Sequence, residues 1–584
     1  MTPQQAHRTT RRRVQVMYAL LVCIFAICLV RLFYLQVIRH DYYQVAAQSD
    51  QYKEYEIAAS RGVIKAYDGD RVVPIVLSHK LYTVYADPDL IKDVGKTATA
   101  IAAELGGDTR SYEDMIQRDG RYVVLKKKVN EETKDRLLDR KLPGIGALAQ
   151  DYRTYPQGTM AAQLLGFVDD SGVGQYGIEQ ALNDTLTGEP GLLKAVTDIN
   201  GVPLAASGDN IRRQPVAGDN VVLTIDIGMQ RQAERLLEEG LGRAKSKSGS
   251  VVVLEAKTGA VKAMANYPSY NPGDYTQVAD ASVFNNMAVS NALEVGSVMK
   301  PLTAAAGLDL GVIRPNSTFY DKRYVEIDGA TVRNVEEDGG AGVKDVADIL
   351  NLSLNTGATW ILQQMGGGEL NGQGRKAWHG YMTDQYRFGK ATGIEQGYES
   401  PGTVPSPTEG YGRNITYANT AFGQAMTATM LQMAAAYSAV LNGGTYYQPH
   451  LVAATIDAAG QETKKQPKIL GRNVVSSSVT EQLQPMLEYV VDNHHFARQF
   501  DNKYSVGGKT GTAQIADPNG GYLENDYNGT YVGFVGGNTA EYVIAVRVNK
   551  PKIYGYAGSQ AAQPLFGDIA HMLIDNFNVT TKHN

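Results

Sequence analysis

The chain has 584 residues, 43% of them hydrophobic and 20% charged, with 56 Lys+Arg against 61 Asp+Glu and a formal net charge of −5. That length allows about three domains, each with its own core, and the acidic balance excludes the basic face of a nucleic-acid binder. Charge and apolar content exclude a disordered chain and a multi-span membrane protein. The two cysteines are Cys23 and Cys28, so beyond residue 28 no disulfide, cysteine-ligated zinc or cysteine nucleophile is expected.

Residues 1–13 are polar and carry Arg8, Arg11, Arg12 and Arg13. Val14–Val30 is apolar except for Gln15, and Leu32–Ile38 continues the run after a lone Arg31. Residues 14–38 are thus long enough to span a bilayer, with Arg31 able to snorkel to an interface. The arginine cluster places a cytoplasmic tail at 1–13 and everything after about residue 39 outside the cytoplasm. A cleaved signal peptide shares the basic start and apolar core, but no small-x-small cleavage site follows. Lipidation is disfavoured because bulky Val22 and Ile27 precede the cysteines.

From about Tyr42 to Val216 strand-like stretches (Arg71–Leu77, Leu81–Ala86, Tyr122–Lys126) mix with short polar helical ones. Gly174–Gly191 reads as one capped helix ended by a Gly/Pro turn. No catalytic spacing occurs here, so residues 39–219 are expected to form a spacer or docking pedestal. A second domain, 220–584, opens with a strand at Val221–Ile225 and a helix over Met229–Leu241. A hairpin follows at Ser250–Glu255 and Gly259–Asn266. Helices are predicted near Ser297–Leu310, Val343–Leu352 and Thr356–Met365. Late strands are predicted at Lys503–Gly507, Thr512–Ile515, Tyr531–Val535 and Tyr542–Val548, before a final helix from about Ala562. Strands early and late around central helices imply an antiparallel sheet flanked by helices, in an α+β multidomain chain.

Three motifs lie in order along the second domain: Ser297-Val-Met-Lys300, Ser353-Leu-Asn355 and Lys509-Thr-Gly511. Ser and Lys at i and i+3 on a helix face the same way, so the amine reaches the hydroxyl. A serine needs such a base to become a nucleophile, and a lysine serves only if burial or a nearby cation lowers its pKa. Pro301 requires Ser297 to begin the helix, where amide donors face a developing oxyanion. Ser-x-x-Lys alone is weakly specific, since about one or two arise by chance in a chain this long; the ordered set of three is strongly specific. Lys257-Thr-Gly259 repeats the third motif, but it precedes the serine and sits at the hairpin turn, where glycine has an ordinary turn role.

With these motifs in hand, the chain resembles the class B penicillin-binding proteins, monofunctional serine D,D-transpeptidases of peptidoglycan. The resemblance runs from the anchor through Ser60-Arg-Gly-Val-Ile, Tyr176-Gly-Ile-Glu179 and Leu223-Thr-Ile-Asp226. It continues through Glu294–Pro301, Phe422-Gly-Gln424, Lys509-Thr-Gly-Thr-Ala-Gln514 and Val532-Gly-Phe534. Val295 stands where proline is common, and Leu354 is the middle residue of the second motif. The resemblance implies an elongated mixed α/β pedestal followed by a β-lactamase-like transpeptidase domain. It implies that Ser297 attacks the D-Ala–D-Ala carbonyl of a stem peptide and that Lys300 takes its proton. Ser353 and Asn355 would relay protons and hold the substrate amide. Lys509 would keep that network poised and, with Thr510, bind the substrate carboxylate. Thr510, Gly511 and Thr512 would form the substrate-binding and oxyanion edge, with the amides of Ser297 and Thr512 as the oxyanion hole.

β-Lactams would acylate Ser297, and no metal or organic cofactor is implied. Implied partners are a SEDS-type glycosyltransferase and other cell-wall synthesis proteins, at a bacterial cell membrane. The Ser-Leu-Asn motif and the short stretch after Lys509 resemble division-specific members. Alternatives are an elongation-type enzyme, a D,D-carboxypeptidase, a β-lactamase or β-lactam sensor, and a scaffold that activates a glycosyltransferase. His494-His495 could hint at a metal, but adjacent histidines face apart and a solvated loop is expected. The 35 tyrosines, against 12 Phe and 2 Trp, have no explanation in the sequence beyond strand or groove positions.

Overall fold

The computed structural model describes residues 3–40, 42–43, 52–57, 59–118, 120, 122–196, 211–335, 339–410, 412–517 and 520–582; the pedestal stretches 44–51 and 197–210 lie outside them. The chain divides into two units, residues 1–60 with 188–217 and residues 61–187 with 218–584.

In the first unit, an α-helix over Pro3–Phe33 continues as a wider helical turn over Tyr34–Ile38. Its segment Val14–Ile38 has mean hydropathy 2.6 and no share of it is buried in the protein. A 25-residue apolar helix whose side chains meet no protein core has lipid as its natural surroundings. Cys23 and Cys28 are free and exposed on it. This unit also holds a three-stranded antiparallel sheet, Tyr52–Ile57, Gly191–Val196 and Ile211–Arg213.

The second unit holds two large sheets. One runs in the order Glu462–Lys464, Val452–Ile456, Asn220–Asp226, Ile64–Asp68, Arg71–Ala86, Val123–Val129, with Ile145–Thr154 also paired to Arg71–Ala86. Asn220–Asp226 is parallel to Ile64–Asp68 and antiparallel to Val452–Ile456, so one sheet contains strands from both sides of residue 220. The two strands predicted at 71–77 and 81–86 are a single strand. The polar Ser78-His79-Lys80 between them pairs with Arg153, Tyr152 and Asp151.

In the same unit two of the quoted sequence motifs meet. Arg61 Nε donates to Glu179 Oε2 at 2.7 Å and Arg153 Nε to Glu179 Oε1 at 2.8 Å. Glu179 is wholly buried. Arg61 also donates to Asn183 and Thr187, and Arg153 to Ser78 Oγ. A buried carboxylate between two guanidinium groups satisfies the rule that buried charges are paired and hydrogen-bonded. The helix predicted over 174–191 is two short ones, Gly177–Ala181 and Asn183–Thr187. Leu182 departs from helical φ/ψ, and the chain is extended again from Gly191.

The other sheet has five strands: β1 (Ser248–Glu255), β2 (Val261–Tyr267), β3 (Ser505–Ala516), β4 (Tyr522–Gly536) and β5 (Ala540–Asn549). Their spatial order is β2-β1-β5-β4-β3, antiparallel throughout, so β3 is an edge strand. Period-two alternation gives this sheet two apolar faces. Val251, Val253, Ile544 and Val546 pack on helices Ile227–Ala244 and Gln563–Asn576. Val252, Leu254, Val532, Phe534 and Ala545 pack on the central helices, including the wholly buried Met430–Leu441. The two late strands predicted at 503–507 and 512–515 are one, because Lys509-Thr-Gly511 continues the ladder.

The helix predicted from Val343 begins later. Gly342–Asp345 is a strand paired with Thr318–Asp321, and the helix is Val346–Asn351. Asp345 sets that boundary, because its side chain accepts from Asp348 N while Asp348 caps back on Asp345 N.

Candidate active site

Ser297 lies in a 3₁₀ turn, Gly296–Met299, that runs directly into the α-helix Lys300–Asp309. In 3₁₀ geometry residues i and i+3 eclipse, which stacks Lys300 over Ser297. Pro301 falls in the first turn of the α-helix, where its missing N–H costs nothing. Gly296 has φ 69°, and a Cβ there would come within 2.9 Å of Thr512 O. Only glycine lets the nucleophile turn lie this close to the edge strand. Thr530 Oγ1 on β4 ties the same turn down by donating to Val295 O at 2.9 Å.

Lys300 is buried, and its Nζ donates to Ser297 Oγ at 2.9 Å, to Ser353 O at 2.5 Å and to Ser353 Oγ at 3.1 Å. Burial, reinforced by the neighbouring Lys509 charge, holds its amine well below the usual lysine range. Lys509 is buried as well, and burial brings its pKa down to about 7. Its ammonium donates to Thr510 Oγ1 at 3.3 Å. A neutral Lys300 amine in contact with a serine hydroxyl can accept the hydroxyl proton, the first requirement for a serine nucleophile.

Ser353 holds its place through backbone strain. It has φ 57° and follows the helix Val346–Asn351 as a left-handed residue, with Leu354 N donating to Ile349 O at 3.0 Å. This is the helix ending in which glycine is the usual residue. A serine there holds an unfavourable conformation and delivers both its carbonyl and its hydroxyl to Lys300. The next helix, Asn355–Met365, begins at once.

Asn355 differs from the other motif residues. Its amide donates to Arg333 O at 2.9 Å, and among the described residues no hydrogen bond joins it to Ser297, Lys300 or Ser353. The second motif is instead braced by residues that sequence reasoning missed. Thr356 Oγ1 donates to Asp321 Oδ1 at 2.9 Å, Thr356 N donates to Asn334 Oδ1 at 3.0 Å, and Asn334 Nδ2 donates to Asp321 Oδ2 at 2.7 Å. Asp321 is buried at the end of its strand. Asp321→Ala is expected to slow acylation by a labelled penicillin about 10-fold or more, because Thr356 and Asn334 lose a buried acceptor. Asp321→Asn is expected to recover part of the rate. Equal rates for wild type and Asp321→Ala would contradict the bracing.

Gly511 has no room for a side chain, since a Cβ would sit 2.3 Å from Thr530 Oγ1 and 2.7 Å from Val295 O. Thr512 Oγ1 accepts from Gly558 N at 2.9 Å. Tyrosines also clamp the nucleophile helix. Tyr437 OH donates to Val298 O at 2.6 Å and Tyr386 OH to Leu302 O at 2.8 Å, both from fully buried rings. Part of the tyrosine bias is explained here: these rings fill core volume while their hydroxyls satisfy carbonyls of the helix start. Glu294 accepts from Ala425 N and from Tyr522 OH, and burial pushes its carboxyl up.

The second Lys-Thr-Gly sequence is elsewhere. Lys257 is exposed in the turn between β1 and β2, and Gly259 has φ 75°. His495 is exposed, while His494 is half-buried with Nδ1 2.6 Å from Val490 O. The expected solvated loop therefore holds for the second histidine only. No cluster of metal-ligating side chains occurs among the described residues.

Residues 249–571 match the family model for the penicillin binding protein transpeptidase domain, and residues 56–223 that for the penicillin-binding protein dimerisation domain. Stage V sporulation protein D of Bacillus subtilis is 30% identical over 99% of this chain and 87% of its own length. Peptidoglycan D,D-transpeptidase FtsI of Escherichia coli is 28% identical over 95% and 90%. Penicillin binding protein 3 of Mycobacterium tuberculosis, solved in complex with aztreonam, superposes with a TM-score of 0.67 at 25% identity, covering 90% of this chain and 98% of that one.

Proposed function

The chain belongs to the class B penicillin-binding proteins, and from that premise we propose that it crosslinks peptidoglycan stem peptides through an acyl-enzyme on Ser297. The observation that carries this reading is the 2.9 Å contact between Ser297 Oγ and the buried Lys300 amine. Ser297 Oγ bonds to the carbonyl carbon of the penultimate D-Ala, and its proton passes to Lys300. The C–N bond then breaks, the proton goes to the departing D-Ala nitrogen, and an ester remains on Ser297. The amine of a second stem attacks that ester and loses its proton to Lys300; the C–Oγ bond then breaks, Lys300 returns the proton to Ser297 Oγ, and a new amide is left. Ser353 relays protons, Asn355 holds the substrate amide once drawn off Arg333, and Lys509 with Thr510 takes the carboxylate. The amides of Ser297 and Thr512 receive the oxyanion. β-Lactams enter the same step as donor mimics.

Neutral Lys300 and protonated Lys509 are the working forms, so the signs follow. Penicillin acylation rises with pH as Lys300 loses its proton, then falls above about 7 as Lys509 loses its own. Lys509→Arg is expected to remove the alkaline limb and leave the acid one. An alkaline limb unchanged in that variant would contradict the assignment.

In this reading residues 1–13 are cytoplasmic, 14–38 anchor the chain, 39–219 form the pedestal and 220–584 the extracytoplasmic transpeptidase domain, as the arginine cluster favours. The pedestal is the docking region for a SEDS-type glycosyltransferase, and the role is septal, as the Ser353-Leu-Asn355 form of the second motif favours. Complementation tests the function: a Ser297→Ala chain is expected not to restore growth, and full rescue would make it a scaffold. A fluorescent fusion is expected at the septum, and sidewall localisation would assign it to elongation.

A further inference from the structure

Arg547 lies in the middle of the catalytic sheet, on β5, and is 4% exposed. Its neighbours across the ladder are Ser250 on β1 and Thr530 on β4, and the row continues to Gly511 of the edge strand. By alternation Arg547 shares the face of Val543 and Ala545, which turns toward the central helices. Arg547 is the charged member of a polar row on that face, beside Ser250, Thr530 and Asn266, and nothing in the catalytic reading uses it.

Its hydrogen bonding is incomplete. Nη2 donates to Asn528 Oδ1 at 3.4 Å, whereas Nε and Nη1 are buried without a partner among the described residues, as is Ser250 Oγ. No described carboxylate pairs with the guanidinium. The neighbouring polar groups are committed elsewhere: Thr530 Oγ1 donates to Val295 O, and Asn266 bonds Asn286 and Ala288 N. Burial lowers the guanidinium pKa to about 10, still far enough above neutrality to keep it charged. A buried cation flanked by unpaired donors calls for negative charge, which a neutral water does not supply.

We propose that Arg547 Nε and Nη1, with Ser250 Oγ, bind a small monovalent inorganic anion of the halide class on the inner face of the catalytic sheet. Arg547 is 4% exposed and Ser250 wholly buried, which favours a compact ion over an organic carboxylate. It also backs the active site, since Thr530, opposite Arg547, holds the backbone two residues before Ser297.

The test uses the full-length protein in detergent, with gluconate replaced by bromide at constant ionic strength. The unfolding midpoint of the wild type is expected to rise, and to climb with the logarithm of bromide concentration once the site is mostly filled, as binding to the folded state requires. Arg547→Met, an apolar replacement of similar length, is expected to lose that rise, and Ser250→Ala to begin it only at higher bromide. Labelling of each variant by fluorescent penicillin verifies that it is folded. Bromide-soaked crystals are expected to show an anomalous peak within hydrogen-bond distance of Arg547 Nη1. An identical bromide response in wild type and Arg547→Met, or a water in place of that peak, would overturn the proposal.

Discussion

Lys300→Met is expected to lower the second-order rate of penicillin acylation by about 10⁴-fold in a protein that still folds. The lysine is enclosed, touches Ser297 Oγ and spans to both oxygens of Ser353. Methionine fills a similar volume but cannot accept a proton, so the serine is left as an ordinary alcohol with a pKa far above neutrality. Folding is not expected to suffer, because replacing a buried amine by an apolar side chain removes a desolvation cost. Lys257→Ala is the control: that lysine is exposed in a hairpin turn, and its loss is expected to leave the rate unchanged. Stopped-flow or gel-based acylation kinetics read both variants. A Lys300→Met rate within tenfold of wild type would show that another group takes the proton.

Glu179→Ala is expected to destabilise the unit containing the catalytic domain by about 3–5 kcal/mol. The carboxylate is wholly buried and holds both Arg61 and Arg153. Its removal leaves two buried guanidinium groups facing each other with no counter-charge, which costs far more than losing a contact. The exposed pair Arg136–Glu132 supplies the comparison, and Glu132→Ala is expected to change stability by less than about 0.5 kcal/mol. Urea unfolding followed by tryptophan fluorescence measures both. Equal, small effects would mean that Arg61 and Arg153 reach solvent or other partners when the carboxylate is gone.

Residue spacing made the nucleophile and its base legible, because Ser297 and Lys300 belong to one helical start and local geometry fixes their distance. Lys509 was separable from its decoy Lys257 for a related reason: one Lys-Thr-Gly followed a strand and the other sat in a turn. What sequence could not show was long-range. Asp321, Asn334 and Thr530 brace the site through contacts 13 to 235 residues apart in the chain, with no periodic or compositional signal. The strand at Gly342–Asp345 reads as helix in the sequence because its partner, Thr318–Asp321, lies at a distance in the chain. Strand 71–86 reads as two because a polar triplet looks like a turn until its partner strand is known. Asp345, followed three residues later by Asp348, is the readable signal for the true helix start, and Val343, apolar at helical spacing from Val346 and Ala347, obscures it.

The most direct measurement is intact-protein mass spectrometry of the folded chain at saturating benzylpenicillin, followed by peptide mapping. The expected result is one covalent adduct carried by the peptide containing Ser297, absent from Ser297→Ala. A folded wild-type protein with Ser297 unmodified, or an adduct that survives Ser297→Ala, would contradict the assignment of Ser297 as the nucleophile.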